Sequence, residues 1–338
     1  MACFALRAGL AAVAAVAGSA ANAQWTGLGN YVNVATYALP IQAPGLSIQY
    51  EASAVAWNRN TNTLFIVGDG GRYIQQTSLT GAVIDSMALP LATRPSRAGV
   101  EFDDPEGLAW LGGSTFVMTE ERQRNVVRFD YAAGMTLDRA NTSTVTLGTT
   151  VGNTGLEGVT YDAPSYSYIL VNQAAGSGAA QNIFQTSITF SGTGGSATNG
   201  SSGTVNATSL FPPANIGLTD LNDVFALSNV ASFAGLASNN LLVLTNAGRV
   251  RELTRAGQIL SQLVLPSGTA QIEGITMDDR GYIYLISDNG DFGTSQFASS
   301  LFVYAPVAAP VPEPETYALL LAGLAAVGSA ARRRRSPD

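Results

Sequence analysis

A five-bladed, all-β propeller is the fold this sequence predicts, and three observations predict it. The stretches DPEGLAW at 104–110, GLEGVTYD at 155–162 and QIEGITMD at 271–278 are near copies, each placing an acid before Gly and an alternating apolar run. Their glutamates are Glu106, Glu157 and Glu273, and weaker copies in SAVAW and NDVFAL set Ser53 and Asn222 at the same point, giving steps of 53, 51, 65 and 51 residues. A unit of that length cannot bury its apolar face alone and must stack on its neighbours. Finally, the body alternates β-branched and aromatic residues in short runs bounded by Gly, Asn and Asp, and shows no long helical period. Four-stranded blades around an axis satisfy all three, whereas an open solenoid would leave edges to cap. Six blades is the alternative count.

The elements follow in chain order. Residues 1–23 carry an early Arg7, an apolar Ala/Val/Leu stretch and then Ala21-Asn22-Ala23, the pattern of a secretory signal helix cut by signal peptidase after Ala23. The segment YVNVATYAL, residues 31–39, supplies the outer strand that closes the ring. Within the second unit EGLAW, the turn LGGS, TFVMTE, the break RQRN and VVRFDY read as strand, turn, strand, turn, strand, and the fifth repeats this as EGITMD, DRG, YIYLISD and, after NGDFGTSQFASS, LFVYAP. The long third step contains SGTGGSATNGSSGT, residues 191–204, expected as a flexible surface loop. Domain limits are therefore 1–23 for the signal, 24–310 for the propeller and 311–338 for a terminal segment.

That terminal segment runs VPEPETYALLLAGLAAVGSAARRRR: an acidic-proline box, an apolar transmembrane helix over Thr316–Ala331, and Arg332 to Arg335 holding the end on the cytoplasmic side. It resembles the PEP-CTERM sorting signal, whose Pro-Glu-Pro box falls on Pro312, Glu313 and Pro314. The resemblance implies recognition by a membrane-embedded exosortase, removal of the tail, and delivery from an inner-membrane intermediate to the cell surface or extracellular matrix of a Gram-negative bacterium.

Composition removes whole classes of chemistry. The single cysteine, Cys3, lies in the signal, so the mature chain has no disulfide and no thiolate ligand. There is no histidine and every basic residue is Arg, which excludes histidine acid-base catalysis, Ser-His-Asp triads, histidine zinc sites and Schiff-base lysines. Residues 24–311 hold 12 Arg against 21 acids with no basic block, so nucleic acid is not a partner, while a cation is a fitting one.

Antiparallel neighbours place the start of each blade's first strand beside the end of its second. Strand-one starts present Ser53, Glu106, Glu157, Asn222 and Glu273; strand-two ends present Asp69, Glu120, Asn172, Asn246 and Asp288; and two residues before the starts stand Glu51, Asp104 and Asp220. Oxygen-rich side chains thus converge on one mouth of the central channel. Crowded carboxylates need raised pKa values or a cation, and Ca2+ accepts 6 to 8 oxygens where Mg2+ requires a tight octahedron.

The stretches SAVAWNRNTNTLFIVGDGG, DPEGLAWLGGSTFVMTEERQRNVVRFDY, LEGVTYD, NNLLVLTNAGRVREL and IEGITMDDRGYIYLISD make the chain resemble the SdiA-regulated family over most of residues 50–305. The resemblance implies a five-bladed propeller with bound calcium and no established activity. Carried over by position, the family's acidic repeat and its SDER-like turn fall on Glu106, Glu157, Glu273, Glu120 and Asp288, with Asn222 standing, like Ser53, where other units have Glu. The metal set expected is therefore Glu106, Glu157, Glu273, Glu120, Asp288 and Asn222, with no catalytic residue assigned.

The charged turn TEERQRN, with Arg122, reads as an exposed ion-paired hairpin in preference to an anion clamp. Trp57 and Trp110, one blade apart, read as packing between blades, and GDGG at 68–71 lacks the strand-to-helix context of a phosphate loop. Two functions fit these features. One is a non-catalytic, calcium-stabilised propeller displayed outside the cell, binding an exopolysaccharide or a surface protein. The other is a metal-dependent esterase or phosphoesterase using the acidic rim.

Overall fold

The computed structural model describes residues 25–39, 51–69, 72–91, 102–148, 154–173, 182–194, 203–211, 217–218, 220–233, 236–245, 248–266, 271–288 and 299–307. The expected signal with Ala23, the Gly/Ser stretch from 195 to 202, Asn246 and the terminal segment with Pro312, Glu313 and Pro314 lie outside the described residues. Among the described residues no helix is long and apolar enough to cross a membrane.

An edge strand, β1 (Tyr31–Ala38), precedes the blades. Blade 1 comprises β2 (Ala52–Asn58), β3 (Thr63–Gly68), β4 (Tyr73–Thr77) and β5 (Val83–Ala88). Blade 2 has β6 (Pro105–Gly112), β7 (Thr115–Glu120), β8 (Asn125–Asp130) and β9 (Ser143–Thr146). Blade 3 has β10 (Leu156–Asp162), β11 (Ser167–Asn172), β12 (Asn182–Phe190) and β13 (Gly203–Phe211). Blade 4 has β14 (Leu221–Ala226), β15 (Leu241–Thr245), β16 (Arg249–Leu253) and β17 (Ile259–Val264). Blade 5 has β18 (Ile272–Met277), β19 (Ile283–Ser287) and β20 (Ser300–Pro306), and borrows β1 as its outer strand.

The five sheets are each four-stranded meanders, so the five-blade count is the one the chain adopts. Closure works as the N-terminal segment predicts: β1 pairs antiparallel with β20 from Tyr31 opposite Pro306 to Ala38 opposite Ser300. First and last parts of the propeller thus share one sheet, which leaves no seam in the ring. The long third step goes partly into a long outer hairpin, in which Phe190 pairs with Gly203, so two residues expected in the loop belong to β13.

Turn chemistry fixes the tight hairpins. After β2 the Asn58 carboxamide oxygen accepts from Asn60 N at 2.9 Å, and after β18 Asp278 Oδ1 accepts from Arg280 N and Tyr282 N at 2.9 and 3.0 Å. These are Asx turns, in which a side chain mimics the backbone of a reversal. The second ends on Gly281 at φ 82°, a left-handed angle that glycine adopts without strain.

Five apolar clusters hold the molecule together, and each lies between two neighbouring blades. Phe65, Ile74, Phe116 and Phe129 join blades 1 and 2; Val117, Leu156, Leu170 and Phe184 join blades 2 and 3. Ile169, Val171, Leu241 and Val243 join blades 3 and 4; Leu242, Leu244, Ile283 and Leu285 join 4 and 5; Leu64, Ile66, Tyr284 and Ile286 close 5 onto 1. Every blade therefore buries both faces, which is why each second strand is apolar at consecutive positions instead of alternating with polar ones. The five first strands touch in a closed ring, β2 to β6 to β10 to β14 to β18 and back to β2, and form the wall of the central channel.

Candidate metal centre at one mouth of the channel

In all five blades the ladder between first and second strands slips at the repeat residue: between Ala52 and Ala54, Pro105 and Leu108, Leu156 and Val159, Leu221 and Asp223, and Ile272 and Gly274. Ser53, Glu106, Glu157, Asn222 and Glu273 each sit in such a bulge. A β-bulge bends the strand and re-aims the side chain it carries, so the repeated glutamate is presented by a repeated backbone device.

The glycine after it has a separate task. A Cβ on Gly107 would stand 2.6 Å from Glu157 O and 2.9 Å from Val159 N of the next blade, and one on Gly274 would stand 3.0 Å from Val55 N. The Glu-Gly pair thus combines a carboxylate for the channel with room for the adjoining strand. Blade 4 replaces it with Asn222-Asp223, and Asp223 spans the gap instead, accepting from Ile275 N of blade 5 at 2.8 Å and from Val224 N at 2.7 Å. Complete burial raises the Asp223 pKa well above the ordinary value, against the opposing pull of those backbone donors.

Three carboxylates meet closely at the junction of blades 1 and 2. One ligand oxygen each from Asp69, Asp104 and Glu106 lies within 4.8 Å of the others. Asp104 adopts a left-handed φ of 58°, a conformation Asp tolerates better than most residues. Around the mouth the crowding continues. Burial, then the negative charge of Glu157, Asp69, Asp104 and Glu121, raises Glu106 well above the usual carboxylate range. Glu157 is raised in the same way by burial and by Glu121 and Glu273. Glu121 is pushed up to about 8 by burial and Asp104, and Glu273 to about 7 by burial and Asp288. Arg122 supplies an opposing charge through a buried ion pair with Asp104 and lies 3.9 Å from Asp103.

The oxygens present fit a hard cation. Asn222 is 1% exposed; its amide nitrogen donates to Ile272 O at 2.7 Å and to Glu273 Oε2 at 2.6 Å, while its Oδ1 has no donor. Glu121 Oε2 is likewise buried with no hydrogen-bond donor. Acceptor oxygens left in this state beside further carboxylates match the all-oxygen shell of Ca2+.

A family model described as SdiA-regulated matches residues 30–292. The chain belongs to the SdiA-regulated family. A PEP-CTERM protein-sorting motif matches residues 310–335, which implies exosortase processing and export through the membrane to the cell surface of a Gram-negative bacterium. Among solved structures, a streptogramin B lyase is similar at 11% identity over 84% of this chain and 76% of its own, with a TM-score of 0.39. A luciferin-regenerating enzyme is similar at 11% identity over 77% of this chain and 93% of its own, with a TM-score of 0.45. The Cps50 (Swd1) β-propeller domain of Myceliophteria thermophila is similar at 13% identity over 75% and 66%, with a TM-score of 0.38. Likenesses this distant assign neither activity nor ligand.

Within this SdiA-regulated propeller, Glu106, Glu157 and Glu273 influence one another in a chain around the mouth, with Asn222 bonded to Glu273 and Asp288 charge-coupled to it. Glu120 does not join them. Along β7 it shares a face with Phe116 and Met118, which pack toward blade 1, and its carboxylate is held there by Arg139, by Asn125 Nδ2 at 2.8 Å and by Asp103 N at 2.8 Å. The turn read as exposed is buried: Glu120, Glu121, Arg122 and Gln123 are 0 to 7% exposed. Asp220 is exposed at a left-handed φ of 51°. Ser53 Oγ accepts from Asp69 N at 3.3 Å, so blade 1 uses its repeat residue to position an acid from the second strand. The sequence reading passed over Glu121 as a site residue, although it neighbours the strand-two end in TEERQRN. It also passed over Asp223, whose signal was Asp in the place of the repeat's Gly.

Proposed function

We propose that this chain is an exported, calcium-binding, non-catalytic propeller of the cell surface or extracellular matrix, where it binds a polysaccharide or a surface protein. The observation that carries the reading is the half-buried to buried carboxylate arc drawn from blades 1, 2, 3 and 5, joined in blade 4 by the donorless Asn222 oxygen. Glu106, Asp104, Asp69, Glu157 and Glu273 are the residues that would hold the ion, with Asn222, Glu121 and Asp288 beside them. Beyond the charge of Arg122, bound calcium supplies positive charge that the mouth otherwise obtains by taking up protons. The export half rests on the sorting motif and on the signal-like residues 1–23.

A ligand that binds only the native form raises its melting point. Metal-stripped protein is expected to melt higher once calcium is added, and Glu106→Gln or Glu157→Gln is expected to remove most of that rise. Equal melting curves with and without calcium would overturn the metal reading. Calcium-dependent hydrolysis of ester or phosphoester substrates, lost in Glu157→Gln, would replace the non-catalytic role with the enzymatic one. Intact mass of the protein taken from the producing cell surface is expected to lack residues 1–23 and the tail beyond the Pro-Glu-Pro box.

A further inference from the structure

We propose that the opposite mouth of the channel is a preformed binding pocket for a small, uncharged aromatic molecule. This inference does not rest on the calcium reading, since it uses the other end of the five first strands.

The cavity there measures about 420 Å3, within the roughly 300 to 1,000 Å3 typical of small-molecule sites. Two residues past each repeat position (Ser53, Glu106, Glu157, Asn222 and Glu273) the strands turn apolar. Val55, Leu108, Val159, Val224 and Ile275, one from each blade and each at most 4% exposed, line its floor. Trp57, Trp110 and Tyr161 stand at matching positions two residues further along β2, β6 and β10 and form half-buried aromatic walls. The sequence reading of both tryptophans as blade packing accounts for part of their surface, because they also lean on the clusters between blades 5 and 1 and between blades 1 and 2.

Several of the polar atoms around the cavity are engaged within the protein. Trp57 Nε1 donates to Asn62 Oδ1 at 3.2 Å and Trp110 Nε1 to Gly113 O at 3.0 Å. Thr160 Oγ1 accepts from Ala226 N and from Asn229 Nδ2, both at 3.2 Å, and Thr276 Oγ1 accepts from Trp57 N at 3.2 Å. Arg59 is paired with Asp279 at 2.7 Å and donates to Asn229 O at 2.7 Å. Among the described residues lining it, the one charged side chain, Arg59, is already ion-paired, and a sugar would give up more water hydrogen bonds than the lining hydroxyls of Thr160, Tyr161 and Thr276 can replace. Ring faces and aliphatic carbons are what the pocket offers, and they suit an aromatic guest.

The pocket is also braced. After β14 the segment 227–233 is tied to blade 3 through Ser228 Oγ to Asp162 Oδ1 at 2.6 Å and Asn229 Nδ2 to Tyr161 O at 2.6 Å. It is tied to blade 5 through Ala231 N to Asp279 Oδ1 at 3.1 Å and Ser232 Oγ to Asp279 O at 2.8 Å. A wall fixed before binding spares the guest the cost of ordering it.

The test uses N-phenyl-1-naphthylamine, a neutral aromatic probe whose emission rises in apolar surroundings, with purified propeller in calcium and again after metal removal. Saturable binding of one probe per chain is expected under both conditions. Trp57→Ala and Trp110→Ala are each expected to weaken it by about tenfold or more, while thermal melting shows both variants folded. No saturable binding, or unchanged affinity in both variants, would overturn the pocket. Displacement of the probe by cellohexaose would overturn the assigned ligand class. A calcium effect confined to melting, with probe binding unmoved, separates this inference from the metal reading whichever of the two fails.

Discussion

Gly107 shows how little slack surrounds the channel. Its φ lies outside the left-handed region, so no conformational argument requires glycine, and only space does. A methyl group there would enter the backbone of blade 3 and also meet Thr119 Oγ1 at 2.7 Å. Thr119 itself donates to Glu157 O at 2.9 Å, so the carbonyl in question is already fixed and cannot retreat without losing that bond. Overpacking of a tight contact costs typically 1 to 3 kcal/mol. Gly107→Ala is therefore expected to lower unfolding free energy in urea by about 2 kcal/mol and to weaken calcium binding, because the displaced backbone carries Glu157. A variant within about 0.5 kcal/mol of the parent would show that the blades separate more readily than the contact distances indicate.

At the scale of elements, Glu120 at the end of β7 forms a structural clamp that borders the mouth, while Glu121 and Arg122 in the turn that follows face it. Glu120 receives two bonds from Arg139, which comes from the connection between β8 and β9 and stacks 4.1 Å over the Phe102 ring. Removing one partner of a buried ion pair strands the other charge and costs about 3 to 5 kcal/mol, whereas replacing both with apolar residues is often neutral. Glu120→Gln is thus expected to melt well below the parent, with Glu120→Leu/Arg139→Met recovering most of the loss, and calcium is expected to raise the melting point of both. Loss of the calcium response in Glu120→Gln would return this residue to the metal set.

The same turn shows what a sequence discloses and what it conceals. Strand and hairpin order, the blade count and closure by residues 31–39 were legible because each depends on local alternation, turn residues and a fixed period. That three of the repeat positions carry acids at one mouth was legible because the acid recurs in register. The bulges were not, since a register slip depends on the partner strand, and the slip decides which side of the blade a side chain faces. Glu120 was assigned to the mouth by edge position alone, although the alternation of Phe116, Met118 and Glu120 in TFVMTE already placed it on the blade 1 side. Its partner Arg139 lies 19 residues away, a pairing set by tertiary packing that no local pattern marks.

For the whole molecule, the carboxylate mouth is expected to make stability depend on pH and, on the proposed calcium reading, on calcium. Glu121, at about 8, and Glu273, at about 7, hold protons in the metal-free native state at pH values where the unfolded chain has released them. A raised carboxyl pKa contributes stability that is complete below the unfolded value, roughly 4.5, and is lost as pH climbs through the folded value. Burial is the leading cause for both groups, and the neighbouring charges of Asp104 and Asp288 act in the same direction. The metal-stripped propeller is therefore expected to melt highest in mild acid and progressively lower as pH rises through 7 to 8. Calcium is expected to act oppositely, because it would bind the deprotonated carboxylates and displace those protons. Melting curves taken between about pH 5.5 and 9, with and without calcium, are expected to diverge, the calcium-induced rise growing steadily across the neutral range. A rise that stays constant over that span would mean that the ion sits away from the titrating acids, and the channel mouth would then be a proton-balanced structural cluster.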